Sequence, residues 1–225
     1  MSQVFDRIQI TVPDLAAAKA SYSDVLGPPD SADDVGGSAC WVLANTAIEV
    51  TEVAGAEAAV SGLVIASPAA GANAQALDNA LGLNLGTCDG SAMAALRESA
   101  PERALRIDHL VLRTDNGDAC VELFRDQLGI RLALDQTVEK WGGRMLFFRG
   151  GKMTLEVIQS SADGDTGNYF WGIAYQCDDI DAVAASLAER GVALSDVRDG
   201  RKPGTRVATL KSHCLDIPSL LIQQG

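Results

Sequence analysis

Apolar and polar residues alternate in several short segments of the chain, and each of these segments precedes an Ala- and Leu-rich stretch with helical spacing. The clearest alternating segments are Phe5–Val12 and Ile107–Arg113. Alternation of this kind is typical of strands, and apolar residues three and four positions apart are typical of helices. A glycine, Gly27 or Gly129, follows 22 residues after the start of each segment. The pattern predicts two copies of a strand–helix unit that ends at a glycine.

Two further copies of the unit are recognisable. One begins with the strand Phe170–Gln176 and continues with a helix near Ile180–Arg190. The other is weaker, with the strand Gly62–Ala66 and a helix near Gly71–Ala80. Repetition at this scale indicates a chain built from internal copies of one supersecondary unit.

Each long unit continues with about three more strands, and the last strands of the units match. The matching strands are Ala47–Glu52 and Lys152–Gln159. We therefore expect two halves, residues 1–100 and 103–225, each made of two units, with residues 99–103 as a linker. The second unit of the first half is short. The alternative is a chance similarity among Ala- and Leu-rich helices.

The charge, the apolar runs and the cysteine spacing of the chain argue against several classes of protein. The 225 residues carry a net charge of −12, which argues against nucleic acid and anionic membranes as partners. The chain has no apolar run of membrane-spanning length, and its start has no signal-peptide pattern. The five cysteines include no C-x-x-C pair, which argues against a cysteine-built zinc site. These features predict a cytoplasmic protein with reduced thiols.

The string Ile107-Asp108-His109-Leu110-Val111-Leu112, followed by a helix that ends at Leu128-Gly129, resembles the opening module of the vicinal oxygen chelate superfamily. The string Tyr175-Gln176-Cys177-Asp178-Asp179-Ile180 is similar to the start of the second module. That superfamily includes glyoxalases, methylmalonyl-CoA epimerases, extradiol dioxygenases and bleomycin-resistance proteins. The resemblance implies an α+β fold of tandem βαβββ modules, which form curved, mostly antiparallel, cup-shaped sheets with helices outside. It also implies a metal site in the cup, with ligands from the first and last strands of each module.

Two residues of the second half stand at these ligand positions. Strand alternation places His109 on one face with Ile107, and Glu156 points into the same cup if the module is right. Imidazole and carboxylate suit Mn, Fe, Ni, Co or Zn. The partner module has Gly172 and Leu221 at the other two positions, and neither residue has a side-chain ligand. The pair His109–Glu156 therefore has three interpretations. It is a metal site, a metal-free acid–base or ligand-binding pair, or the remnant of such a site that forms only a buried hydrogen-bonded pair.

The first half repeats the positions with different residues. Arg7 stands where the second half has His109, and Glu49 stands where it has Glu156. We expect a structural ion pair there. In the second half, burial against an apolar wall would raise the pKa of Glu156 and make this carboxylate a usable base.

Several residues of the second half are predicted to bind substrate. They are Arg201, Lys202, Arg206, Trp171, Tyr175 and Gln176. The three cations lie in a Gly- and Pro-containing turn that would orient an anionic group, or would simply be solvated. The absent side chain of Gly172 is expected to leave room in the cup. His213 is either a proton shuttle or an ordinary surface histidine.

We therefore expect an enzyme of lyase, isomerase or dioxygenase type that acts on a small organic substrate in the cup of the second half. Its cofactor would be one divalent metal ion, or none. The alternative is a non-catalytic small-molecule binding or resistance-type protein of the same fold, and a degenerate structural domain is a third reading. With four units in one chain, we expect a monomer or a weak homodimer. Whether neighbouring units pair, or the first pairs with the fourth, is left open.

Overall fold

The computed structural model describes residues 4–33, 35–138, 143–160 and 167–225. The strands up to residue 88 are β1 (Val4–Val12), β2 (Ser31–Asp33), β3 (Ser38–Val42), β4 (Ala47–Glu52), β5 (Ala59–Ala66), β6 (Gln75–Leu77) and β7 (Leu85–Cys88). The strands that follow are β8 (Arg106–Thr114), β9 (Arg131–Val138), β10 (Gly143–Gly150), β11 (Met153–Ser160), β12 (Tyr169–Gln176), β13 (Arg198–Asp199), β14 (Arg206–Leu210) and β15 (Ser219–Gln223).

The helices begin and end with the local signals expected for them. They are α1 (Leu15–Leu26), α2 (Ser91–Ser99), α3 (Gly117–Cys120, continued by a π-helical segment, Val121–Gln127) and α4 (Ile180–Glu189). The side chain of Asp14 accepts a hydrogen bond from the first turn of α1, and Asp179 does the same for α4. Among the described residues, no helix has the length and apolar character needed to cross a membrane.

The described strands form two mixed sheets. The N-terminal sheet has the order β2-β3-β4-β1-β5-β7-β6, and the C-terminal sheet has the order β13-β14-β15-β12-β8-β11-β10-β9. Within each unit the first and last strands are parallel neighbours, and most other neighbours are antiparallel. The first strands of neighbouring units pair antiparallel, β1 with β5 and β8 with β12. Neighbouring units therefore pair, and the predicted α+β class with cup-like sheets is confirmed.

One predicted element is wrong. The segment expected to form a helix near Gly71–Ala80 contains the short strand β6, which pairs with β7. The amide of Asn79 donates to the carbonyl oxygens of Leu77 and Leu83, and it thereby closes a turn directly after β6. An asparagine that bonds to the neighbouring backbone favours a turn over a helix.

A continuous apolar core joins the two sheets and their helices. Tyr22 of α1 packs edge-on against Trp41, with ring centroids 5.6 Å apart. Its hydroxyl also lies near that of Tyr175 on β12, although it forms no hydrogen bond of normal geometry within the described part of the chain, so α1 approaches the C-terminal sheet as well. Because these rings are almost fully buried, they fix one face of each sheet as the core face.

Candidate functional site

The opposite face of the C-terminal sheet carries the predicted polar pair. We call this the cup face and define it by His109, Thr154 and Ala174, which lie side by side on β8, β11 and β12. Glu156 follows Thr154 by two residues and so points to the same side. Its Oε2 lies 3.3 Å from Nε2 of His109, and the two side chains are 14% and 18% exposed. The structure therefore brings the imidazole and the carboxylate together from adjacent strands.

A β-bulge adds a second carboxylate to this pair. On β8, Ile107 lies opposite Tyr175 and His109 lies opposite Ala174, which leaves Asp108 as the extra residue. A bulge re-aims the side chains around it, and Oδ2 of Asp108 accepts a hydrogen bond from Nδ1 of His109 at 2.8 Å. The prediction that Ile107 shares the face of His109 is wrong, because the bulge turns Ile107 into the core.

Two further side chains extend the polar network from Asp108. Its Oδ1 accepts a hydrogen bond from Nε2 of Gln224 at 3.0 Å. The Oε1 of Gln224 accepts a hydrogen bond from Nζ of Lys202 at 3.1 Å. Lys202, which the sequence predicted as a substrate-binding residue, is thus linked to the pair through Gln224 and Asp108. The predicted set did not include Gln224 or Asp108.

Cationic side chains flank the pair on both sides. Arg149 on β10 lies opposite Thr154, in the same row as His109, and donates to Oγ1 of Thr154 at 2.6 Å. Its charge helps to lower the pKa of Asp108. Arg201 lies near enough to Glu156 for its charge to favour the ionised carboxylate. Arg149 was not among the predicted residues, whereas Arg201 was.

His109, Asp108 and Glu156 shift one another's pKa values. Burial lowers the pKa of His109, but the hydrogen bond to Asp108 and the charges of Glu156 and Asp108 outweigh burial, so that the pKa is raised. Burial raises the pKa of Asp108, but the hydrogen bond and charge of His109 and the hydrogen bond from Gln224 outweigh it, and the pKa is lowered. Burial raises the pKa of Glu156, and the charges of His109 and Arg201 offset this only in part.

The donor set does not fit a tightly held divalent metal. Asp108 and Glu156 lie at opposite nitrogens of His109 and do not surround a common point. Within the part of the chain that the structure describes, no group of three or more His, Cys, Asp or Glu side chains has a metal-binding arrangement. Catalytic zinc sites use three protein ligands, and the partner module adds none.

The partner-module positions differ from the sequence interpretation in two details. A Cβ atom at Gly172 would lie 2.6 Å from the carbonyl oxygen of Pro218, so the expected room beside Gly172 is filled by backbone. Leu221 is fully buried in the core, whereas Leu220 lies opposite Ala174 and stands on the cup face in its place. Strand register decides this, and the alignment of short strings missed it by one residue.

The remaining predicted residues lie at varied distances from the network. Trp171 is 42% exposed, and its ring lies under the guanidinium of Arg113, 5.6 Å from the centroid. Gln176 lies towards the other end of β12 and accepts a hydrogen bond from Arg106 at 3.2 Å. Tyr175 is 1% exposed and packs in the core, because it follows Ala174 on β12 and therefore points to the face opposite the cup. It is therefore closed off from the cup.

Arg206 and His213 form their contacts away from the cup face. Arg206 forms a two-pronged ion pair with Asp181 of α4, on the helix-covered side of β14. The ring of His213 contacts Ser212 at 2.7 Å and Asp24 of α1 at 3.5 Å. Its backbone is in the left-handed region, with φ of 59°. The structure thus brings His109, Glu156, Arg201 and Lys202 together, and it leaves Arg206 and His213 with α4 and α1.

The N-terminal sheet contains a counterpart of the same network. Asp6 is the extra residue of a bulge in β1, as Asp108 is in β8. Arg7 donates from Nη1 to Asp6 at 2.8 Å and from Nε to Glu49 at 3.1 Å. An Asp–Arg–Glu triplet in the N-terminal sheet and an Asp–His–Glu triplet in the C-terminal sheet therefore occupy the same register. The recurrence of Asp in Phe5-Asp6-Arg7 and Ile107-Asp108-His109 was a sequence signal that could have identified Asp108.

Helix α2 covers this counterpart. Met93 and the partly buried Leu96 pack on Cys40, Val42 and Ala47, which lie on the same face as the triplet. The backbone oxygen of Asp6 also accepts a hydrogen bond from an arginine of α2. A helix of the chain itself thus covers part of the N-terminal cup, beside Arg7 and Asp6, while Glu49 stays 29% exposed.

Comparison with known proteins agrees with this architecture. Residues 108–209 match the model of the glyoxalase/bleomycin resistance protein/dioxygenase superfamily. No similar protein was found among curated sequences. A mutant of 4-hydroxymandelate synthase from Streptomyces coelicolor is 15% identical and covers 100% of this chain and 93% of its own, with a TM-score of 0.76. Methylmalonyl-CoA epimerase from the same organism is 24% identical over 53% of this chain and 97% of its own, with a TM-score of 0.44. The family match covers residues 108–209, and the fold of the whole chain is similar to that of 4-hydroxymandelate synthase, so both findings support the expected resemblance to the vicinal oxygen chelate superfamily.

Proposed function

We propose that the cup face binds a small organic anion and moves a proton at a carbon next to a carbonyl group, an isomerase- or lyase-type reaction. The observation that carries the proposal is the imidazole of His109 between two carboxylates on a face that no helix covers among the described residues. Pairs of titratable groups whose surroundings push their pKa values apart are typical of acid–base sites.

The chain's own residues would divide the work as follows. The carboxylate of Glu156 accepts the proton, so that the C–H bond breaks and the electron pair moves onto the carbonyl oxygen of the substrate. The raised pKa of Glu156 makes it a stronger base than an exposed glutamate. Nδ1 of His109 donates to Asp108, and this hydrogen bond directs Nε2 at Glu156. Return of the proton to a different face or atom of the substrate completes the isomerisation.

The flanking cations would orient the anionic end of the substrate. Arg149 and His109 lie two strands apart in one row of the sheet, about 9–10 Å between backbones. That spacing suits a small organic acid whose carboxylate meets a guanidinium while its reacting carbon meets Glu156. Arg201 lies close enough to Glu156 to act as a second cation near the pair. Guanidinium groups bind carboxylates with two parallel hydrogen bonds, which also fixes orientation.

A second function is favoured by a different observation. Gly172 and Leu220 bring no donor atoms to the cup, and the exposed ring of Trp171 borders it. An apolar wall with a few polar groups is typical of small-molecule binding sites. The second candidate is therefore a non-catalytic binding protein of the resistance type.

Deuterium exchange tests the first proposal. Pyruvate, 2-oxobutyrate and acetoacetate are incubated with the protein in deuterium oxide, and proton NMR follows loss of the C–H signal next to the carbonyl. We expect exchange that persists in the presence of a chelator and falls at least about 100-fold in Glu156→Gln. His213→Gln is the matched control and should leave the rate unchanged.

Each outcome decides between the two candidates. Exchange that a chelator abolishes, or that Glu156→Gln leaves unchanged, contradicts metal-independent proton transfer by this carboxylate. Absence of exchange with all three acids, together with saturable quenching of tryptophan fluorescence by one of them, favours the binding protein. Exchange that is reduced by Arg149→Ala through a higher KM at unchanged kcat supports the orienting role of that cation.

A further inference from the structure

Gln224 occupies an unusual place in the polar network of the cup face. It directly follows β15, and its amide lies between the ammonium of Lys202 and the carboxylate of Asp108. Asp108 in turn holds His109 at 2.8 Å. Because Gln224 bonds to Asp108, its effect on the proposed chemistry passes through that carboxylate.

The two neighbours of Gln224 fix the direction of its amide. An ammonium group has only donors, so Lys202 must face the oxygen of the amide. The NH₂ group of Gln224 therefore faces Oδ1 of Asp108, at 3.0 Å. With one oxygen occupied by this donor, the other oxygen of Asp108 is directed at Nδ1 of His109.

We propose that Gln224, held by Lys202, is a positioning residue that keeps His109 in the tautomer with the proton on Nδ1. In this tautomer the lone pair of Nε2 faces Glu156, and the two groups can exchange one proton without rotation of the ring. The importance of this arrangement for catalysis rests on the proposed function, but the tautomer itself does not.

The N-terminal counterpart supports this assignment by contrast. Arg7 replaces His109 there, and a guanidinium donates from every nitrogen and has no tautomer to select. Among the described residues, Oδ1 of Asp6 is buried without a hydrogen-bond partner, where Oδ1 of Asp108 has the amide of Gln224. An amide that donates to the aspartate therefore accompanies the imidazole, whereas beside the guanidinium the amide of Gln9 donates to Glu49 instead.

Nitrogen-15 NMR of the two histidines tests the proposal. The chemical shifts of the ring nitrogens report directly which of them carries the proton, and His213 serves as the internal reference. We expect His109 to be mainly the Nδ1–H tautomer when neutral. In Gln224→Leu the ratio of Nδ1–H to Nε2–H should fall about three- to tenfold, the range of one ordinary hydrogen bond. Lys202→Met should shift the ratio in the same direction by less.

Gln223→Leu is the matched control. It makes the same substitution one residue earlier, where the side chain points to the other side of β15 and caps α4 at Ile180. We expect no change in the His109 ratio. An unchanged ratio in Gln224→Leu, or an equal change in Gln223→Leu, overturns the proposal.

Activity measurements distinguish a failure of the proposed role of Gln224 from a failure of the proposed function. If exchange occurs in the wild type, Gln224→Leu should lower kcat and leave KM within about twofold, because Gln224 acts on His109 and not on the bound acid. If no exchange occurs in the wild type, the proposed function fails while the tautomer measurement still decides the role of Gln224. If Gln224→Leu lowers kcat at unchanged KM but leaves the tautomer ratio of His109 unchanged, the role assigned to Gln224 is contradicted.

Discussion

Arg7 provides the sharpest test of the difference between the two triplets. Its guanidinium lies 2.8 Å from Asp6 and 3.1 Å from Glu49, and Asp6 is 1% exposed. In Arg7→Met the carboxylate of Asp6 stays buried without its counter-charge. Removal of one partner of a buried ion pair costs about 3–5 kcal/mol.

The lower part of this range applies here. Glu49 is 29% exposed, and Gln9 still donates to it at 2.9 Å, so that most of the cost falls on Asp6. We expect a loss of about 3 kcal/mol in the free energy of unfolding. For a chain of this size, each kcal/mol corresponds to about 2–4 °C. The melting temperature of Arg7→Met should thus fall by about 6–12 °C.

Urea and thermal unfolding followed by circular dichroism measure this loss. Arg125→Met is the matched control, because the ion pair of Arg125 with Asp126 is half-exposed, and it should not change the melting temperature measurably. A stability equal to that of the wild type would refute a structural role for Arg7.

Two further predictions concern the C-terminal sheet. Because the pKa of His109 is raised in the folded state, its stabilisation is complete below its unfolded pKa near 6.5 and is lost as pH rises through the folded pKa. Asp108→Asn should flatten this part of the stability–pH profile in urea unfolding, and an unchanged profile would count against the coupling. Gly172→Ala should cost about 1–3 kcal/mol, because its Cβ would lie 2.6 Å from the oxygen of Pro218. Gly71→Ala, whose Cβ would meet nothing closer than 4.0 Å, is the control in thermal unfolding, and equal melting temperatures of the two variants would disprove the clash.

Local patterns were sufficient for the elements that lie in the core. The strand expected at Ala47–Glu52 has those bounds in the structure, and the strand expected at Phe170–Gln176 differs from β12 by one residue. Strand alternation and the resemblance to the vicinal oxygen chelate modules together placed His109 and Glu156 on one cup face. A period of two residues is preserved along a regular strand, so the face of each side chain followed from the local pattern, whereas their place on adjoining strands came from the resemblance.

Features that depend on contacts between strands were not accessible in this way. The bulge at Asp108 shifts the side chains before it on β8 to the other face, which places Ile107 in the core. The fit of Gly172 against Pro218 depends on how β12 lies on the loop before β15. Arg206 is bound by Asp181 of α4, the helix on that side of β14, and the cationic residues next to Arg206 in sequence gave no indication of this pairing.

The two halves show how one backbone arrangement can serve stability or chemistry. Both sheets place an Asp from a bulge and a Glu from a parallel strand around one nitrogen-containing side chain. With arginine in the centre, the charge is permanent, and a helix can cover the triplet because nothing in it has to titrate. With histidine in the centre, the proton count can change near neutral pH, and such a change is useful only where a ligand can approach. The presence of α2 over Arg7 and of an uncovered face beside His109 follows the same distinction, which is why the search for activity belongs in the C-terminal cup.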